Sequence, residues 1–202
     1  MPAFAPRISD TGLWDLIQYL RALSEAEEAR SLTSLVEPWR PIVAPDFNFE
    51  SPGQAQESLS GQRGRHVTLL VLYTLPESLP RLHELSAKEK AFAHAGVRVI
   101  AVPASTSATV DKQTMKDEQS MFPIASSEVD TAYAMFARQS SDFHNVAPTH
   151  VEFLIDRQGY FRARWMGIPD STTDQSTEIL DEVKLLKLEP ARPAAPEGHA
   201  HG

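Results

Sequence analysis

Residues Val67 to Tyr73 run Val-Thr-Leu-Leu-Val-Leu-Tyr, with apolar side chains on successive rather than alternate positions. A run this short and this uniformly apolar predicts a strand buried on both faces. Residues 97–102 repeat the pattern. Between the two, Leu79, Leu82, Leu85 and Phe92 recur at roughly helical intervals over 78–95, and Gly96 supplies a C-terminal cap. The spacing predicts a strand–helix–strand unit with parallel strands and a right-handed crossover. Residues 151–155 and 160–165 flank Asp156-Arg157-Gln158-Gly159, a β-hairpin signature. Asp156 is read there as a turn residue rather than a catalytic carboxylate.

The remaining segments are read the same way. Phe47 and Phe49 alternate in a short strand. Residues 128–137 predict a helix with Val129, Ala132, Tyr133 and Phe136 inward, and a last helix covers about 173–186. At the start, Ser9-Asp10 forms an N-cap, followed by Leu13, Trp14, Ile17, Leu20 and Leu23 at helical spacing. Pro38, Pro41 and Pro45 predict an extended connector. The chain therefore divides into an N-terminal helical piece (1–30), a linker (31–43), an α/β domain (44–188) and a tail (189–202). From Pro190 onward that tail is expected to bury nothing and to be disordered.

Composition narrows the function. With 202 residues and 42% hydrophobic content, one good-sized core is within reach. A net charge of -8 with scattered Lys and Arg argues against a nucleic-acid groove or an anionic membrane surface. No apolar run approaches the ~18 residues of a spanning helix, so no membrane insertion by this chain is expected. Met1-Pro2-Ala3-Phe4-Ala5-Pro6-Arg7 does not read as a targeting signal. The chain has no cysteine. A thiolate is the nucleophile of disulfide exchange and of thiol-based peroxide reduction, so neither activity is open to it.

Several strings, in order, carry a resemblance: Ala44-Pro45-Asp46-Phe47, Leu59-Ser60-Gly61-Gln62-Arg63-Gly64-Arg65, Phe122-Pro123-Ile124, and Pro148-Thr149 ahead of Phe153-Leu154-Ile155-Asp156-Arg157-Gln158-Gly159. Over residues 44–188 the chain resembles thioredoxin-like domains of the redoxin, peroxiredoxin and Sco-type copper-chaperone kinds. The resemblance implies an α/β fold, with a central mixed sheet and flanking helices. Pro148 is its landmark, and the family's proline at this place is cis, an expectation that extends to the Ala147–Pro148 bond. Tyr73-Thr74-Leu75-Pro76-Glu77-Ser78-Leu79-Pro80 lies where such domains carry their cysteines. The copper-binding histidine of Sco-type proteins falls at or near Pro148, with His144 and His150 close by.

Residues 1–23 resemble the end of a class I cytochrome c: a Met-containing loop, then a closing amphipathic helix. That resemblance implies a haem axial ligand at Met1 in an intact parent protein carrying haem c. No Cys-x-x-Cys-His attachment site is present, so this chain by itself is expected to hold no cofactor. The implied parent is a periplasmic bacterial cytochrome c–redoxin fusion, linked in some cases to a copper-resistance membrane protein. Without the cytochrome body, Trp14, Ile17 and Leu20 must cover either the redoxin domain or the same helix of a second chain, giving a homodimer.

Histidines are the remaining candidates for chemistry. His83 and His94 share a helix face but stand too far apart for one metal, and His66 precedes a strand. His144 and His150 flank Pro148, and His199-Ala200-His201 is chelating by composition; each pair offers Cu(II) or Zn(II) a weak site or is ordinary surface histidine. Thr74 and Ser78 stand near the missing thiols with no base adjacent in sequence. Two functions follow. The first is a redox-inactive, non-enzymatic module that binds a protein partner, near haem or copper in the parent. The second is a thiol-independent enzyme on the same scaffold.

Overall fold

The computed structural model describes residues 9–50, 56–103, 124–125, 135, 138–139, 148–169 and 173–196. Its elements are α1 (Asp10–Ala29), β1 (Asn48–Glu50), β2 (Glu57–Ser58), a 3-10 turn at Ser60–Gln62, β3 (Val67–Tyr73), α2 (Leu79–Ala87), α3 (Glu89–His94), β4 (Val97–Pro103), β5 (Ile124–Ala125), β6 (His150–Ile155), β7 (Phe161–Met166) and α4 (Gln175–Leu188). The seven strands form one sheet in the order β2-β1-β5-β4-β3-β6-β7. β3 pairs parallel with β4, and β6 pairs antiparallel with both β3 and β7. The run at Val67–Tyr73 is thus an interior strand, and every residue of it is buried.

Because side chains alternate along a strand, the sheet carries two cores. On one face, Leu70, Leu72, Val151, Phe153 and Ile155 pack with Ala22, Ala26 and Ala29 of α1. On the other, Leu69, Val71, Tyr73 and Leu154 pack with Leu82 and Leu85 of α2, Phe92 of α3, and Ile179 and Val183 of α4.

Four expectations are revised. The helix expected over 78–95 is two helices, broken at Lys88, whose N–H closes α2 on Glu84 O and Leu85 O. Leu85 and Phe92 stay fully buried in one cluster, so the break keeps the apolar face on the sheet. The connector over 31–43 is not a free linker. Arg164 N donates to Thr33 O, Phe161 N to Ile42 O, and Val36 N to the buried Glu182 carboxylate at 2.6 Å. It covers the outer edge of β7, which would otherwise be an unpaired sheet edge. Nor is the tail disordered from Pro190. Ala195 is buried, its N–H donates to Gln158 O, and Arg63 Nη1 donates to Ala195 O and Pro196 O. Finally, α1 runs to Ala29 and docks by three alanines, not by its large apolar residues.

The helix expected over 128–137 lies outside the described residues, apart from the helical and buried Met135. The Ala147–Pro148 bond lies outside them too. Among the described residues, the cis peptide bond is Leu75–Pro76.

The hairpin turn depends on Gly159, at φ +94°. A Cβ there would come within 2.5 Å of Arg63 Nε. Gly159→Ala is therefore expected to cost about 1–2 kcal/mol from backbone strain, and to push Arg63 off the Ala195 and Pro196 carbonyls. Urea denaturation reads the first effect, and faster proteolysis near Ala195 reads the second.

Candidate functional site

The place where thioredoxin-like domains carry thiols is the junction between β3, the following loop and α2. Here the loop is tied to the head of β6. Thr74 N and Thr74 Oγ1 both donate to Thr149 O, at 3.1 and 2.8 Å. Ser78 N donates to Thr74 O, and Thr74 N also reaches Ser78 Oγ at 3.2 Å. Pro80 in the first turn costs α2 nothing, since N–H groups there have no helical partner.

Beneath this loop lies a polar cluster contributed by three elements. Ser78 Oγ is 3.0 Å from His150 Nδ1, and His150 Nε2 is 2.9 Å from Glu152 Oε1. Arg81 clamps Glu152 with two hydrogen bonds, from Nε at 2.6 Å and Nη2 at 3.0 Å. Arg81 Nη1 donates to Ser176 Oγ at the start of α4 and pairs with Glu84, each at 2.8 Å. Ser176 Oγ donates to Glu84 Oε1, closing the ring. Ser78, Arg81, His150, Glu152 and Ser176 are all buried. The alternation of β6 places His150 and Glu152 on the α2/α4 face, between strand neighbours that point to the other core.

The electrostatics follow from this wiring. Burial by itself pushes the Glu152 carboxyl up, but the hydrogen bonds from His150 and Arg81, with the Arg81 charge, outweigh it and hold the group at about 2. Burial likewise works against the Arg81 charge, and its bonds to Glu152 and Glu84 more than restore it. Since Glu152 is ionised and accepts, Nε2 of His150 carries a proton. The single Ser78 hydroxyl proton has two acceptors within reach, Thr149 O at 3.1 Å and Nδ1 of His150 at 3.0 Å.

A serine, an imidazole and a carboxylate in line are the parts of a nucleophile, a base and an orienting acid. Sequence reasoning found no base for Ser78; the fold supplies one from 72 residues away. Glu152 and Arg81 were not singled out from the sequence either. The signal was present, because a Glu in the apolar strand His150–Ile155 needs a buried cation. The assembled cluster is sealed, however. Its side chains satisfy one another, both carboxylate oxygens of Glu152 are taken by Arg81, and no face of Ser78 meets solvent. A small cavity beside Arg63, His66 and Gly159 lies at the hairpin turn, away from the cluster.

The other candidates fare as follows. His150 is unsuited to metal binding as it stands, because it is buried with both ring nitrogens engaged. No group of three or more His, Asp or Glu among the described residues is placed to hold a metal ion. Met1, His144, His199 and His201 lie outside the described residues. His66, His83 and His94 are exposed. Pro148 directly precedes Thr149 at the head of β6. Trp14 and Leu20 are exposed and Ile17 is half-buried. Above the cluster, Pro76, Glu77 and Thr149 are exposed and Leu75 and Pro148 half-buried. Met166 and Ile168 are exposed beside them, where Gly167 N donates to His150 O.

The fold is similar to that of several solved structures. Thiol:disulfide interchange protein of the thioredoxin family from Chlorobium tepidum TLS superposes with TM-score 0.55 at 16% identity, over 74% of this chain and 99% of that one. Xanthomonas campestris peroxiredoxin Q gives 0.54 at 16%, over 76% and 98%. The mitochondrial 2-cys peroxiredoxin of Plasmodium falciparum gives 0.53 at 16%, over 72% and 92%. At these identities the likeness establishes the fold. No curated protein sequence matches the chain. The sequence profile of the AhpC/TSA family does match it, over residues 43–164, which spans the strand–helix–strand unit, the sealed cluster apart from Ser176, and most of the hairpin. The chain is a thioredoxin-like redoxin domain and belongs to the AhpC/TSA family.

Proposed function

We propose that this domain is redox-inactive and works by contact, binding a protein partner with the face formed by Leu75, Pro76, Glu77, Pro148, Thr149, Met166 and Ile168. The observation that carries this reading is the sealed Ser78–His150–Glu152–Arg81 cluster. At the segment the resemblance aligns with cysteines, this chain has an internally satisfied polar lock and no cysteine. The lock holds the Thr74–Ser78 loop against Thr149, so the face above it is preorganised, which lowers the ordering cost of binding. The parent setting in this proposal is a larger extracytoplasmic protein with a haem-bearing or copper-handling partner domain. Its support is the resemblance of residues 1–23 to a cytochrome c terminus. Reading the gene upstream of Met1 in frame for Cys-x-x-Cys-His tests that setting directly. A copper role would require ligands other than His150, and a Cu(II) titration after removal of residues 197–202 tests it.

A second reading is a thiol-independent hydrolase, favoured by the Ser78–His150–Glu152 alignment. The two are separated by one set of assays on the intact chain. Insulin reduction and peroxide consumption are expected to stay at background. A fluorophosphonate probe is expected to leave Ser78 unlabelled, because the reagent needs an exposed hydroxyl with an approach path. Labelling of Ser78, with ester hydrolysis abolished in Ser78→Ala, would replace the contact reading by the hydrolase.

A further inference from the structure

Among the described residues, the first half of α1 carries a largely exposed apolar face. At about 100° per residue, Ala22, Ala26 and Ala29 lie on one side of the helix. They are buried against the sheet. Leu13, Leu16, Ile17 and Leu20 fall on the opposite side, roughly 180° away. Leu13 is 46% exposed, Leu16 43% and Leu20 54%, with Trp14 and Tyr19 on the flanks at 39% and 37%. The helix therefore has two contact faces: a small-residue face already used, and a large-residue face directed away from the body.

We propose that this second face pairs with the same face of another copy of the chain, as an antiparallel helix pair about a two-fold axis between Leu16 and Ile17. The spacing of the stripe is symmetric about that point. In the antiparallel register Leu13 meets the partner's Leu20, and Leu16 meets the partner's Ile17, each contact occurring twice. Self-complementarity of this kind is what an isologous two-fold interface demands. Arg21 and Trp14 fall on one flank, so Arg21 of each copy approaches the indole of the other, a cation–π arrangement.

The area agrees with a second copy and bounds the strength. Taking about 200 Å² for a fully exposed large apolar side chain, the five exposed fractions leave roughly 440 Å² per protomer, or about 900 Å² in the pair. That is the size of a weak, transient interface, so the dimer is reversible and concentration-dependent. Each copy carries a charge of -8, so added salt strengthens the pairing by screening repulsion. The interface is independent of the face above Ser78, and it applies to the 202-residue chain, since a cytochrome body in a longer parent would compete for the same stripe.

The chain's lack of cysteine makes the register testable by single thiols. Sedimentation equilibrium of the intact chain should show a monomer–dimer equilibrium that shifts toward dimer from 50 to 500 mM salt. Leu16→Glu, an exposed position whose change leaves the circular dichroism spectrum intact, should raise the dissociation constant by more than about tenfold. On oxidation with diamide, a mixture of Leu13→Cys and Leu20→Cys chains should form disulfide dimers far in excess of either variant alone. A monomer at all accessible concentrations overturns the proposal and assigns the stripe to a different protein or segment. Dimerisation unaffected by Leu16→Glu, or equal cross-linking of each variant with itself, overturns it as well.

Discussion

Arg81→Ala is expected to lower stability by about 3–5 kcal/mol at neutral pH, because it leaves the Glu152 carboxylate buried without its cation. For a domain of this size that is a fall of roughly 6–20 °C in melting temperature. Glu152→Ala strands the guanidinium instead and should cost a similar amount. The double variant Arg81→Met/Glu152→Leu removes both charges and keeps the volume, so it should recover much of the loss. Recovery separates the cost of an orphaned charge from the cost of lost packing.

The pH dependence supplies a second signature. In the wild type, Glu152 titrates at about 2 against an ordinary 4.5, so it favours the folded state above about pH 4.5. That contribution fades as the pH falls toward 2. In Arg81→Ala the His150 hydrogen bond remains but the Arg81 bonds and charge are lost, so burial is less opposed and the carboxyl titrates higher than in the wild type. Protonation as the pH falls then relieves part of the strain. The stability gap between wild type and Arg81→Ala should therefore be widest near neutrality and narrow steadily below it. Thermal melts between pH 3 and 8 measure this, and a gap independent of pH would remove the buried ion pair from the explanation.

Phe153→Ala is expected to cost a comparable 3–5 kcal/mol, about the usual loss for a buried phenylalanine, by a different mechanism. Phe153 is the strand neighbour of Glu152 and points to the opposite core. There its ring lies 4.8 Å from that of Phe161, and both rings are buried beneath α1. Truncation opens a cavity in an apolar region that has no charge to titrate. The loss should be the same at pH 5 and pH 8, and Phe153→Leu should restore part of it. Breaking the Arg81–Glu152 pair and truncating Phe153, the strand neighbour of Glu152, are thus expected to give comparable damage, the first dependent on pH and the second not.

Much of the architecture was legible in the chain itself. The uninterrupted apolar runs of β3 and β4, the turn Asp156-Arg157-Gln158-Gly159 and the absence of cysteine each carry a local physical meaning that needs no partner to read. The first two fix the strand–helix–strand unit and the hairpin, and the third is the ground for expecting no thiol chemistry. The sealed site was not legible, because it depends on distance in sequence being cancelled by folding. Arg81 and Glu152 are 71 residues apart, and Arg81 and Ser176 are 95. Read alone, His150 is either a weak metal ligand or an ordinary loop histidine, and Ser78 is a hydroxyl without a base. Only the pairing of β3 with β6, and the docking of α2 and α4 on one face, turn those groups into a closed lock. The same division holds for α1. Periodicity ranks Trp14, Ile17 and Leu20 as its inner face, since large apolar residues gain most from burial. The sheet instead receives Ala22, Ala26 and Ala29, because a helix that must pack close to an already filled surface does so through its smallest side chains. Which residues are apolar is a property of the chain; which of its apolar faces is satisfied is decided by the shape of the surface it meets.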